Sequence, residues 1–164
     1  MADWHARFDP REAVARDPVE IVRAYGRADD REVAALVAAL LAFGRVETIR
    51  SKVRALLAML GPHPGEAVRA ASRDALVQRL GGFRHRTFRG EDVAALLWAA
   101  GVVQARDGSL YAGLAAAVQG AGALRGPLTE WVASLRALAW PAGPSRAARH
   151  LLPDPAGPSA CKRL

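Results

Sequence analysis

The sequence predicts an all-α domain, an orthogonal bundle of about eight short helices. Three observations predict it. Ala and Leu supply most of the 51% hydrophobic residues, and both are strong helix formers. Apolar residues recur at helical spacing between stops made of Gly and Pro. No segment alternates like a half-buried strand. With 164 residues, one domain with a sizeable core is expected. Residues 1–16 read as a lead-in and 17–164 as the domain, with no internal repeat and no interdomain linker.

Asp17 and Pro18 open the first helix as N-cap and first helical residue. Val19, Val22 and Tyr25 form its buried face, and Gly26 closes it. Asp29 or Asp30 caps the second. There Val33, Leu36, Val37, Leu40 and Leu41 fall at i, i+3, i+4, i+7 and i+8. Alanines fill most other positions, so this helix is expected at the centre of the bundle. Gly44 ends it. The third spans 46–60, with Val46, Ile49, Val53, Leu56, Leu57 and Leu60 on one face. Arg45, Arg50, Lys52 and Arg54 lie elsewhere, and Gly61-Pro62 is a stop. Further helices are expected over 65–71, 73–80, 90–105, 110–118 and 128–139. Gly81-Gly82, Asp107-Gly108, 120–126 and 141–144 separate them.

The net charge of +7 and the pI near 10.9 point to a polyanionic partner, and all but two of the 23 basic residues are arginine. Arginine suits bidentate phosphate contact. An arginine- and alanine-rich coding bias would give the same composition, so charge alone leaves both readings open. A single cysteine, Cys161, cannot form an internal disulfide, which favours a reducing compartment. The start lacks the pattern of a signal peptide, and no apolar run is long enough for a membrane span. The cytoplasm is the expected location. His5, His63, His85 and His150 are scattered, so no metal site is expected. No phosphate-binding glycine loop or serine elbow occurs, and no cofactor is expected.

Three segments carry candidate chemistry. GGFRHRTFRG, residues 81–90, interleaves Phe83 and Phe88 with Arg84, Arg86 and Arg89. Guanidinium groups can hold phosphates while an aromatic ring stacks on a base. Equally, the phenylalanines can anchor in the core while the arginines stay wet, and both readings can hold together. AFGR, residues 42–45, turns tightly between two helices. Its glycine reads as a C-cap, and the turn can also present backbone amides or a side chain such as Arg45 to a groove. In the tail, Pro153 and Pro155 rule out a continuous helix. Ser159 can cap a helix starting at Ala160, where the positive field of the helix start would lower the pKa of Lys162 and favour it as a nucleophile. Spacing alone describes a solvated lysine equally well.

DPVEIVRAY, DDREVAALVAALLAFGRVETI, FRHRTFRGEDVAALL, GSLYAGL and HLLPDPAGPSACKRL resemble, in order, segments of a bacterial family called domain of unknown function 2400. That family is held to be akin to the helix-hairpin-helix DNA glycosylases. The resemblance runs from about Asp17 to Leu164. It implies duplex DNA, intact or damaged, as partner, for which Arg45, Arg84, Arg86 and Arg89 of the segments above are the candidate contacts. It implies that Leu152-Pro153 and Gly157 to Lys162 correspond to a phosphate-binding hairpin, with Gly157 and Ser159 in it. Lys162 would then be the lysine that attacks the sugar carbon after the base departs. Asp154-Pro155 replaces the tight glycine turn of that hairpin, a departure from the pattern. The aspartate stretch that follows in such enzymes is absent. The expectation is therefore an inactive N-terminal fragment of a repair glycosylase/lyase-like protein. A non-catalytic nucleic-acid-binding module and a helical interaction module are the competing readings.

Overall fold

The computed structural model describes residues 9–157, so Ser159, Cys161 and Lys162 lie outside the described residues. Those described form ten helices and one short β-hairpin. In chain order the helices are α1 (Pro10–Arg16), α2 (Val19–Arg23), α3 (Ala28–Leu40), α4 (Val46–Leu60), α5 (Pro64–Ala70) and α6 (Arg73–Leu80). The hairpin strands are β1 (Arg84–His85) and β2 (Phe88–Arg89). The remaining helices are α7 (Gly90–Asp107), α8 (Leu110–Val118), α9 (Arg125–Ala139) and α10 (Arg146–Leu151). The all-α class holds. Three elements depart from expectation: helix α1 in the lead-in, helix α10, and the hairpin, where no strand was expected.

The centre of the fold is α7, not α3 as its alanine-rich pattern suggested. Eleven of the 18 residues of α7 are buried, and it packs against α3, α5, α6, α8, α9 and α10. Small residues let the neighbours close in. A Cβ at Gly101 would lie 2.3 Å from the carbonyl oxygen of Val68, so α5 crosses α7 backbone to backbone. Helix α3 packs against α2, α4, α5 and α7. Its stripe residues Val33, Val37, Leu40 and Leu41 are buried, while Leu36 is only partly so.

Acidic residues near helix starts work across the fold rather than locally. Arg27, not an aspartate, is the N-cap residue of α3, and Asp29 and Asp30 lie in its first turn. Asp30 is buried, and its Oδ1 accepts a hydrogen bond from the Gly65 amide at 2.8 Å. His63 Nδ1 lies 3.2 Å from its Oδ2. Asp30 thus satisfies an orphan amide at the start of α5, a helix without a side-chain cap of its own. The reason is geometric: the starts of α3 and α5 pack so closely that a Cβ on Gly65 would lie 2.7 Å from the Asp29 carbonyl carbon. Arg27 and then Arg69 hydrogen-bond Asp29, and together they hold its carboxyl well below the usual carboxylate range. At α2, Pro18 is the cap residue, yet the Asp17 carboxylate accepts from the Val19 amide at 2.8 Å. Val19 is exposed, and Ile21 takes its expected place in the core beside Val22.

Candidate nucleic-acid interface

The hairpin and the turn between α3 and α4 form one basic edge. In the hairpin, Arg84 pairs with Arg89 and His85 with Phe88, which leaves Arg86 and Thr87 as a two-residue loop. Strand alternation sends successive side chains to opposite faces. Phe83, His85 and Phe88 are therefore buried, while Arg84, Arg86 and Arg89 are exposed. The core-anchoring reading of this segment is correct. Phe83 and Phe88 cannot offer their rings to a base, because both pack in the hydrophobic core.

His85 pins the hairpin to the end of α3. It is 2% exposed, with Nε2 3.1 Å from the Leu41 carbonyl oxygen. A carbonyl accepts only, so Nε2 carries the proton. Burial pushes the imidazole pKa below its ordinary value, against the backbone of Leu41 and Phe43, which favours the cation; Arg86 and Lys52 push further down. The hairpin closes on α6 and α7 through Gly90. The Gly90 amide donates to the Phe83 carbonyl at 2.9 Å, and a Cβ there would sit 1.7 Å from the Leu80 carbonyl oxygen.

Arg86 ties the hairpin to the AFGR turn. It has φ 53 and is the one non-glycine residue at positive φ among those described. That conformation is strained for a residue with a Cβ. Its Nε donates to the Phe43 carbonyl at 3.0 Å, and its guanidinium carbon stands 5.0 Å from the Phe43 ring centroid. Gly44, at φ 124, is required here on two counts. Its backbone suits glycine, and a Cβ would lie 2.6 Å from Arg86 Nη2. Arg45 follows and is exposed.

The edge gathers cations without ion-pair partners, although Arg11, Arg23, Arg31, Arg73, Arg79 and Arg125 elsewhere in the fold also have none among the described residues. Arg16, Arg27, Arg50, Arg54, Arg69, Arg106 and Arg136 each face a carboxylate within ion-pair distance. Arg45, Lys52, Arg84, Arg86 and Arg89 have no such partner among the described residues. Lys52 Nζ lies 5.9 Å from the Phe83 ring centroid, which brings α4 into the edge. Helix α10 packs on β2, and its Arg146 and Arg149 are exposed. Four of the site residues expected from the sequence, Arg45, Arg84, Arg86 and Arg89, are therefore brought together. Gly157 is not part of that group. Its amide donates to the Asp154 carbonyl, the Asp154 side chain accepts from Ala156, and Arg125 of α9 donates to the Ala156 carbonyl. The tail turn is thus held against α9.

Two members of the edge went unread in the sequence. Lys52 stands seven residues after Arg45, two turns along the same helix face, and that spacing was the available signal. Phe43 had none, since a lone phenylalanine is expected inside.

A second feature is apolar. A cavity of about 350 Å³ lies between α3, α7, α8 and α9, with Leu36, Leu96, Leu114, Leu128 and Trp131 in its wall. Helix α8 carries no charged residue and buries only Gly113. Its start is held by Glu32 of α3, whose carboxylate accepts from the Leu110 and Tyr111 amides at 2.8 and 2.9 Å. No helix among the described residues is long and apolar enough to cross a membrane, and these residues hold no cluster of three His, Cys, Asp or Glu placed for a metal ion.

Fold and site together define a class: a helical domain with a basic edge built from a hairpin and an interhelical turn. The chain belongs to the family described as "Protein of unknown function (DUF2400)", which matches residues 17–164. No curated protein and no solved structure matches the chain.

Proposed function

We propose that this protein binds DNA along the edge formed by Arg45, Lys52, Arg84, Arg86 and Arg89. One observation carries the reading, and it is placement: the hairpin and the interhelical turn bring these five cations to one edge, where none has a carboxylate partner among the described residues. Basic groups left without intramolecular counter-charges release counterions from a phosphate backbone on binding. The test is an anisotropy titration of duplex DNA across a range of salt. Five phosphate contacts predict a log–log slope of about −4 to −5. A slope near zero overturns the reading.

A finer proposal rests on the resemblance to helix-hairpin-helix DNA glycosylases. The bound DNA is then a substrate for base excision, and the Lys162 amine attacks the sugar carbon after the base departs. Borohydride trapping on an abasic duplex tests it. An adduct lost in Lys162→Gln supports a lyase, and one that survives removes Lys162 from the mechanism.

A second reading, a helical interaction module, is favoured by the uncharged surface helix α8 beside the apolar cavity. Concentration-dependent association without any salt-dependent shift on DNA would select it.

A further inference from the structure

The basic edge presents one aromatic ring, and the turn that holds it is unusually restrained. Phe43 is 53% exposed, whereas Phe83 and Phe88 of the hairpin that docks on its turn are buried. A single exposed apolar side chain needs no explanation by itself. Here three contacts fix it. The Phe43 amide donates to the Leu41 carbonyl at 2.6 Å. Its own carbonyl accepts from Arg86, and the Arg86 guanidinium lies over its ring. Gly44 makes room for that guanidinium, and the strained φ of Arg86 brings it there.

We propose that Phe43 is a base-stacking residue: its ring, backed by Arg86, stacks on an unpaired nucleobase, so the edge selects nucleic acid with an open stack over intact duplex. This rests on the DNA-binding reading and deepens it. Every base has a π-face, so such stacking tolerates sequence. The guanidinium of Arg86 on the ring adds a cation–π contact, and Arg45, exposed two residues along the chain, supplies a charge for a neighbouring phosphate. In an intact duplex both faces of a base are already covered by its neighbours. A single strand or a gap leaves one open.

The experiment uses the full 164-residue chain and three labelled probes of one sequence: a single strand, a gapped duplex and an intact duplex. The parent is expected to prefer the first two. Phe43→Leu keeps apolar bulk and removes the π-face. It should weaken binding to the single strand and the gapped duplex by at least about fivefold, with the intact duplex unaffected. The salt slope should not move, because the ring neutralises no phosphate. Phe43→Trp should restore binding. A thermal melt of each variant that matches the parent shows that the fold is intact. Unchanged binding of Phe43→Leu to all three probes, or an equal loss on intact duplex, overturns the stacking role while the DNA-binding reading stands. A parent that binds none of the probes overturns both.

Discussion

Arg86 reaches back from the hairpin to Phe43, 43 residues earlier in the chain, with Nε donating to its carbonyl and the guanidinium over its ring. Two loops distant in sequence thereby become one surface. The contact depends on Gly44, which lies directly under the guanidinium.

Gly44→Ala is expected to break this latch. The new Cβ would face Arg86 Nη2 at 2.6 Å, and φ 124 is unfavourable for alanine. A cost of about 1–3 kcal/mol corresponds to a thermal midpoint lowered by roughly 2–12 °C for a chain of this size. Adding Arg86→Ala should relieve the steric part alone. A partial recovery in the double variant, read by thermal melting, checks the geometry.

Removing Arg84 and Arg89 should weaken DNA binding without harm to the fold, since both side chains are exposed and lack carboxylate partners among the described residues. The salt slope of Arg84→Ala plus Arg89→Ala should fall by about two units, one for each lost phosphate contact. Arg50→Ala plus Arg54→Ala is the control. Those two already face Glu20, so the slope should change less.

Acid should loosen the hairpin through His85. Burial places its folded-state pKa below the unfolded value of about 6.5. The unfolded chain therefore takes up the proton first, so stability is full above that value and falls as pH drops below it. His85→Gln keeps a donor for the Leu41 carbonyl and does not titrate. Thermal midpoints from pH 7.5 to 5.5 should fall more steeply for the parent than for this variant, and parallel curves would remove His85 from the acid response.

Asp30→Ala should destabilise the domain by about 1–3 kcal/mol, because the buried Gly65 amide loses its acceptor. Asp30→Asn keeps an acceptor oxygen and should be milder. Urea midpoints of the two variants, side by side, measure the difference. Equal midpoints for Asp30→Ala and the parent would mean that Gly65 is satisfied otherwise.

Much of the fold is legible where apolar stripes run uninterrupted between strong stops. The spans 46–60, 73–80 and 110–118 match α4, α6 and α8 at both ends, with Gly61, Ser72 and Ser109 marking boundaries. The hairpin is not legible because each strand has two residues, too few to display a period of two. Helix α10 hides because only Ala148 and Leu151 of its six residues are buried. Asp29 and Asp30 mislead for a different reason: nothing local says that a carboxylate in one helix caps another 35 residues on. At the edge, the arginines announce themselves by composition. The exposure of Phe43 depends on where the hairpin docks, which is long-range information.

The docking of the hairpin through His85, Gly90 and Arg86 also bears on the thermodynamics of association. An edge already ordered in the free protein loses little conformational freedom when a partner arrives. Binding should therefore show none of the large heat-capacity change and opposing entropy that accompany a segment folding onto its target. Such a surface is ready at first encounter, and the association rate should follow electrostatic steering rather than a conformational step.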